Sequence, residues 1–195
     1  MSPDSSPAKP RSTAPDALRG TVRRLGAKPR TPSEHGLPKP ELEQAEFRFG
    51  GVDGDYNLYR QTQKGGDPEM AILLIPEETL AELHAEGWPV RPGDLGENVL
   101  TSGIPYDALT PRRRVRLGAA VVETAKPCDP CDNLYLLPYV GLPRGPAFLK
   151  AMLGRRGWYA RVVREGTVRR GDPVVVEPAS SASASHLERG VLAKD

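Results

Sequence analysis

Two cysteines carry the most obvious chemistry in this chain, and they are spaced as Cys128-Asp-Pro-Cys131. Their neighbours include Lys126, Asp129 and two prolines, a composition typical of a loop and not of an apolar core. Inert cysteines are mostly buried among apolar side chains, whereas reactive ones lie in polar, positively charged surroundings. We therefore expect thiol chemistry here, with simple burial of the two thiols as the alternative.

Zinc binding and disulfide exchange are two chemistries open to a Cys-x-x-Cys pair. A tetrahedral zinc site needs four ligands, and the chain has no second cysteine pair and three scattered histidines, His35, His84 and His186. No zinc is therefore expected. Disulfide exchange of the thioredoxin kind places the pair at the start of a long helix, and Pro138 and Gly141 leave little room for one. A dithiol redox protein that uses both cysteines stays an alternative.

A single thiol that handles sulfur or a soft metal is a further interpretation. A thiolate can accept a sulfur atom as a persulfide, or it can bind a metal such as molybdenum. Positive charge nearby would favour either role, and residues 144–170 hold eight basic side chains against one acid, Glu165. This basic stretch indicates either a solvated surface or a site for a small molecule that carries phosphate.

The elements that must position these residues are mostly short strands. One helix is predicted to begin at Pro76 and to end before Gly87, and a second covers 146–153. Strand patterns separated by turn residues occur at 43–49, 70–75, 112–117, 119–124, 158–163 and 174–176. Because many short strands accompany few helices, the sequence predicts a mainly β fold with a β-barrel-like core and a few short helices.

Composition divides the chain into one domain and two tails. Residues 1–36 are rich in Pro, Ser and basic side chains, and 179–195 begin with a low-complexity Ala/Ser run, so both are expected to be flexible. The domain is expected over 37–178. The formal net charge is +2, and the sequence pI of about 8.6 comes from the N-terminal tail, which argues against a nucleic-acid interface on the domain. No apolar run is long enough for a membrane span and no signal peptide is evident, so a cytoplasmic protein without membrane contact is expected.

Several segments of the chain resemble a known family when they are taken in order. The most distinctive are Pro92–Asn98 (PGDLGEN), which resembles the pattern P-G-x-L-G-E-N, and Pro130–Leu134 (PCDNL), which resembles P-C-x-x-L. Further matches are Gly36–Lys39, Gly65-Gly66, Arg116–Ala119, Gly154–Trp158, Ala160–Val162, Glu165–Val168 and Gly171-Asp172. Over 37–178 the chain is thereby identified as similar to stand-alone bacterial MOSC domains, which are named after the C-terminal part of molybdenum cofactor sulfurase.

The resemblance implies a mainly β domain that handles sulfur or the molybdenum cofactor, molybdopterin. Cys131 matches the family's cysteine, as a persulfide carrier or a molybdenum ligand, and Cys128 is an addition that could resolve a persulfide as an internal disulfide. The partners implied are a sulfur donor such as a cysteine desulfurase, a pyridoxal phosphate enzyme, and the cofactor or a molybdoenzyme. Whether the chain is a sulfur transferase or a component of a molybdenum-dependent oxidoreductase stays open, as does detoxification of N-hydroxylated bases.

Seven further side chains are candidates for cofactor binding in this scheme. Arginine and lysine suit the cofactor's phosphate, and an acid–amide pair on a Gly-rich loop suits a pterin edge. The candidates are Lys39, Lys64, Glu97, Asn98, Arg155, Arg156 and Arg161, with Lys64 in place of the histidine of the family's His-Gly-Gly element. Surface charge, helix capping and turn closure are the alternatives for them. A non-catalytic module that presents its basic tail to a partner is a separate hypothesis.

Overall fold

The computed structural model describes residues 17–31 and 36–178. Within these ranges the chain forms short strands joined by turns, three α-helices and three 3-10 turns. The strands are β1 (Leu18–Gly26), β2 (Glu41–Leu42), β3 (Gln44–Arg48), β4 (Gly51–Val52), β5 (Ile72–Pro76), β6 (Val99–Ser102), β7 (Arg114–Leu117), β8 (Ala120–Pro127), β9 (Trp158–Arg164), β10 (Gly166–Arg169) and β11 (Pro173–Val176). The helices are α1 (Leu58–Gln63), α2 (Glu77–Ala85) and α3 (Gly141–Met152), and the 3-10 turns are Pro68–Met70, Tyr106–Ala108 and Asp132–Leu136.

Seven of these strands close into a β-barrel. Its neighbours run in the order β1, β11, β7, β8, β9, β5 and β6, and β6 pairs with β1 to complete the circle. All neighbours are antiparallel except β5 and β6, which are parallel and are joined through α2. Strand β2 extends the barrel beside β1, while β10, β3 and β4 form a separate small sheet. The predicted mainly β, barrel-like fold with few short helices is therefore confirmed.

Two apolar cores hold the domain together. One fills the barrel, where alternate residues of each strand point inward, as Val115 and Leu117 do on β7. The other, which we call the outer core, lies outside the barrel wall and joins α2 and α3 to the segment that follows β8. Phe148 and Met152 of α3 are fully buried there with Leu134, so this second core fixes the position of the cysteine segment. Among the described residues, no helix is long and apolar enough to cross a bilayer.

The first strand is the main difference from the sequence prediction. Residues 18–26 were expected to belong to a flexible tail that reaches residue 36, and instead they form β1, which pairs with β11 on one side and β6 on the other. Three arginines hide the strand pattern in the sequence. A strand of a closed barrel can carry these arginines because only its inward-facing residues must be apolar. In β1 the buried residues Val22 and Leu25 meet that need. The rest of both predicted tails, 1–16, 32–35 and 179–195, lies outside the described residues.

Helix α3 and strand β10 are smaller differences. The second helix was predicted over 146–153, and it begins earlier, at Gly141. Pro143 falls in its first turn, where a missing backbone N–H costs no intrahelical bond. Strand β10 was not predicted, because its four residues acquire a strand partner only when the fold brings β3 alongside. The predicted helix at Pro76 and the hairpin of β7 and β8 are confirmed.

Candidate functional site

The two cysteines lie on one short loop and have opposite environments. Strand β8 ends at Pro127, Cys128 is 2% exposed in the outer core, and Cys131 is exposed immediately before the 3-10 turn Asp132–Leu136. Leu134 is fully buried and anchors that turn. Both thiols are free. Because one end of the loop is buried and the other is pinned by a leucine, the Cys131 thiol is presented at a defined place on the surface.

That place is the wall of a cavity of about 630 Å³. Other parts of its wall are formed by Gly36–Lys39, by the turn around Gly50 and by helix α1 with Lys64 after it. A volume of this size is in the range of cofactor and small-molecule sites in proteins. The Cys131 thiol therefore lies in the wall of a cavity large enough for a small molecule and not at an isolated surface position.

Arg156 connects the cavity to the thiol. Its side chain is buried, and Nη1 donates to Cys131 Sγ at 3.2 Å and to the Asp129 carbonyl oxygen at 2.7 Å. Its Nε is also buried and has no partner among the described residues. Buried donors are nearly always satisfied in folded proteins. The arginine therefore places a positive charge beside the sulfur, and its Nε–H group has no acceptor among the described residues.

Cys128 lies close by but is poorly suited to act as a nucleophile. Burial raises the pKa of its thiol, against the lowering influence of the Arg156 guanidinium and of a hydrogen bond with Tyr159. The Sγ also lies 3.7 Å from the Asp129 carbonyl oxygen. A protonated thiol is neither a good nucleophile nor a metal ligand. The environment of Cys128 thus favours a structural thiol, in contrast to the catalytic role predicted for it.

Lys39 and Asn98, two of the predicted binding residues, meet at the back of the cavity. Lys39 is 4% exposed, and its Nζ lies 2.6 Å from Asp55 Oδ2, to which Asn98 Nδ2 donates at 2.9 Å. Asn98 also donates to the Gly26 carbonyl oxygen and accepts from Leu73 N. Burial lowers the pKa of Lys39 in spite of its Asp55 partner. The alternative of an ordinary surface lysine is therefore excluded for this residue.

Glu97 is fully buried behind the cavity and does not line it. One carboxylate oxygen accepts from Gly93 N and lies 3.7 Å from Arg24 Nη1, while Arg24 Nη2 donates to the Lys39 carbonyl oxygen. Burial raises the pKa of this carboxyl group. The side chain ties the Pro92–Asn98 loop to β1 and to the Lys39 segment. Its position supports an organising role and not the predicted contact with a ligand.

The rim of the cavity carries Lys64 and an arginine that the sequence did not single out. Lys64 is exposed, and its Nζ lies 5.4 Å from the centre of the Tyr59 ring. Arg60 is buried and donates to three carbonyl oxygens, those of Gly50, Gly66 and Asp67. No local pattern marks an arginine with this role, because its three acceptors come together only in the folded chain.

Two predicted cofactor ligands lie away from the cavity. Arg155 points to the opposite side from Arg156 and forms a forked pair with Glu86, in which Nη1 lies 2.6 Å from Oε1. Arg161 pairs with Glu123 at 2.8 Å on the outer face of the barrel. The basic stretch 144–170 is therefore not one patch. The strand and helix geometry sends its members in different directions, and Arg156 is its one member that lines the described cavity.

The cavity is nevertheless positively charged overall. Five cationic side chains line it against three carboxylates: Lys39, Arg60, Lys64, Lys126 and Arg156 against Asp55, Asp129 and Asp132. Within the described residues, no group of three or more His, Cys, Asp or Glu side chains is placed to hold a metal ion. A metal in this cavity would therefore need most of its ligands from a bound cofactor. Cys131 is the one cysteine among the described lining residues that could contribute a sulfur.

Comparison with known proteins agrees with this picture. A family model described as the MOSC domain matches residues 61–175. The structure is similar to that of the YuaD protein from Bacillus subtilis, with 22% identity and a TM-score of 0.69 over 85% of this chain and 99% of that one. It is also similar to YiiM from Geobacillus stearothermophilus, with 23% identity and a TM-score of 0.61 over 88% of this chain and 84% of that one.

YiiM from Escherichia coli is similar as well, with 20% identity and a TM-score of 0.58 over 84% of this chain and 72% of that one. At these identities the structural matches establish the fold alone. Comparison with curated protein sequences gives no significant match.

Proposed function

Because this chain belongs to the MOSC domain family, we propose that it binds a molybdenum–pterin cofactor in the cavity, with Cys131 as the protein's ligand to the metal. The observation that carries the proposal is the exposed Cys131 thiol on the wall of a cation-rich cavity of about 630 Å³. The residues fit such a group. Thiolates are the side-chain ligands that suit soft metal centres, and the cofactor brings sulfur ligands of its own.

Each part of the cavity has a separate task in this proposal. Arg156 orients the Cys131 sulfur and places a positive charge in the cavity wall. Lys64 and Lys126, both exposed on the rim, are suited to a phosphate group. Lys39, Asp55 and Asn98 form a rigid polar wall that can hydrogen-bond a flat heterocycle. When bound, the cofactor supplies electron-transfer chemistry at the metal, and the chain supplies binding and orientation.

Persulfide carriage is the second candidate function, and the exposure of Cys131 beside Arg156 favours it. In that reaction the Cys131 thiolate attacks the outer sulfur of a donor persulfide, such as that of a cysteine desulfurase, and the donor cysteine leaves as a thiol. The acceptor would be the cofactor or a molybdoenzyme. The size of the cavity is less well explained by this function, because an exposed thiol alone would serve.

Dithiol redox chemistry and the detoxification of N-hydroxylated bases are two further alternatives. The first needs a reactive Cys128, and burial of this thiol with its raised pKa argues against it. The second would use the bound molybdenum cofactor and requires room for a substrate beside it. It would follow from cofactor binding and depends on that binding being established first.

The experiment is to produce the full chain in cells that make the cofactor and to measure molybdenum and pterin per chain in the purified protein. We expect both in the wild type and in Cys128→Ala, and at least a tenfold lower molybdenum content, roughly, in Cys131→Ala. Arg156→Gln should also lower the content, whereas Arg155→Gln is the matched control that should leave it unchanged, since Arg155 binds Glu86.

A second measurement separates the two candidates. Each variant is incubated with a cysteine desulfurase and cysteine, and its intact mass is recorded before and after treatment with a reductant. Equal molybdenum in Cys131→Ala and the wild type would refute the cofactor proposal. A reducible gain of one sulfur that needs Cys131, in a protein without molybdenum, would establish persulfide carriage in its place.

A further inference from the structure

A row of alternating arginines and valines crosses the outer face of the barrel, away from the cavity. The strand register places Arg19 of β1 opposite Val175 of β11, Val175 opposite Arg116 of β7, Arg116 opposite Val121 of β8, and Val121 opposite Arg164 of β9. Directly opposed residues on neighbouring strands share one face of a sheet. The five side chains therefore form one line across five strands, with an irregularity in the pairing of β8 and β9 next to Val121.

The two valines are covered although they point outward. Val175 is 5% exposed and Val121 is 8% exposed, yet neither belongs to the apolar core inside the barrel. Their neighbours in the row are the three exposed arginines, whose aliphatic stems cover apolar surface of this kind. Neighbouring strands lie about 4.8 Å apart, so arginines on alternate strands are spaced about 10 Å apart. The row is an apolar base with an arginine on each of three strands, and Arg164 Nε donates to the Ala119 carbonyl oxygen at 3.1 Å.

The positive charge of this row is not neutralised locally. Among the described residues, no carboxylate forms an ion pair with Arg19, Arg116 or Arg164. The next row contains two carboxylates, Glu123 and Glu177, but Glu123 is shared by Arg112, Arg114 and Arg161. The two rows hold five arginines against these two carboxylates, and Arg112, in the turn before β7, also pairs with Glu123. We call this surface the arginine face; it is formed by Arg19, Arg112, Arg114, Arg116, Arg161 and Arg164.

We propose that the arginine face is a docking surface for an acidic protein. Both rows use arginine and contain no lysine, and arginine is enriched while lysine is depleted at protein–protein interfaces. The guanidinium fork binds carboxylates in a bidentate manner, which gives orientation in addition to attraction. Carboxylates spaced about 10 Å apart occur along one side of a helix at every seventh residue, which matches the spacing of the row.

Other polyanions fit this surface less well. The outer face of a barrel is convex, whereas a duplex requires a surface that follows its backbone, and neither row presents an aromatic ring for base stacking. Membrane binding of peripheral proteins relies on large apolar side chains beside the basic ones, and the valines of the row are covered. Since the arginine face and the cavity share no residue, the inference is independent of the proposed function.

The test measures binding of the full chain to fluorescently labelled poly-L-glutamate by anisotropy, with duplex DNA and phosphatidylglycerol vesicles as competitors. The variant Arg116→Gln/Arg164→Gln removes two charges and retains aliphatic stems over the valines. Lys150→Gln/Arg169→Gln, at exposed positions on α3 and β10, removes the same charge elsewhere and is the matched control. Circular dichroism verifies that all three proteins are folded, and Arg19→Gln tests the row from β1 if the double variant fails to fold.

We expect the arginine variant to bind poly-L-glutamate about tenfold more weakly than the wild type, and the control to bind within about threefold of it. Equal weakening in both variants would overturn the proposal, because binding would then follow net charge alone. Preferred binding of DNA or vesicles, lost in the arginine variant, would also overturn it and would assign the arginine face to that polyanion.

Discussion

Two residues of one type, three positions apart, have different surroundings in this protein. Cys131 is exposed on the cavity wall beside the Arg156 guanidinium, whereas Cys128 is enclosed by the outer core. Reactivity of a thiol depends on its access and on the charge around it. The two neighbouring arginines differ in the same way. Arg156 donates to Cys131 Sγ, whereas Arg155 pairs with Glu86 at the end of helix α2. Within each pair, the environment and not the residue type distinguishes the two members.

The buried thiol predicts a specific dependence of stability on pH. Burial raises the pKa of Cys128 in the folded chain, whereas the thiol in the unfolded chain titrates near about pH 8.5. Above that value the unfolded state releases a proton that the folded state keeps, so the contribution of Cys128 to stability falls as pH rises. Urea unfolding at about pH 7 and about pH 10 should show a larger loss for the wild type than for Cys128→Ala. An equal loss in both proteins would contradict this assignment.

At the scale of elements, a single loop organises the back of the cavity. The Pro92–Asn98 segment packs against the Gly36–Lys39 segment, and Lys39 N donates to the Gly93 carbonyl oxygen at 3.0 Å. Gly93 has φ of 96°, and a Cβ there would lie 2.6 Å from the Lys39 carbonyl oxygen. The glycine is required for two reasons, its backbone conformation and the close approach of the neighbouring segment.

Replacing Gly93 by Ala should therefore cost more than backbone strain alone. Gly87 is the matched control, because its φ is 85° and a Cβ there meets nothing within 4 Å. We expect Gly87→Ala to lower the free energy of unfolding by about 1–2 kcal/mol, from strain at positive φ. Gly93→Ala should lower it by roughly 3 kcal/mol or more, because it also displaces backbone. Chemical denaturation measures both, and equal losses would show that the two segments can separate freely.

For the molecule as a whole, closure of the barrel depends on β1. This strand is the only described link between β6 and β11, and without it each of them would have an unpaired edge. It also carries Val22 and Leu25 of the barrel core and Arg24, which bonds to the Lys39 segment. The N-terminal region is thus part of the domain from residue 18 and supports the cavity from behind.

Removal of residues 1–26 is expected to prevent folding, whereas removal of 1–16 deletes none of the described strands. The longer deletion exposes two strand edges and removes buried apolar side chains, so the protein should aggregate or lose its cooperative thermal transition. Thermal melting followed by circular dichroism compares the two. A cooperative transition in the chain lacking β1 would show that closure is dispensable. The same reasoning means that a deletion of residues 1–36 cannot serve to test a role of the basic tail alone.

The sequence by itself was sufficient for the fold class and for the position of the thiol. Alternating apolar residues, as in β7, and turn residues between short runs are local signals, and they correctly indicated a barrel-like domain. The polar neighbours of Cys131 correctly indicated a loop, and the order of several short segments indicated the family. Such features survive in sequence because they depend on residues close together in the chain.

Only the tertiary structure decided which charged residues line the cavity. Lys39, Asp55 and Asn98 come from distant segments and meet because β1, β6 and the Gly36–Lys39 segment pack together. Of the arginine pair, Arg156 lines the cavity and Arg155 does not. Strand β1 was hidden by its three arginines, of which Arg19 and Arg23 are exposed and Arg24 is buried against the Lys39 segment. The direction of a charged side chain depends on long-range packing, and no local pattern in the sequence records it.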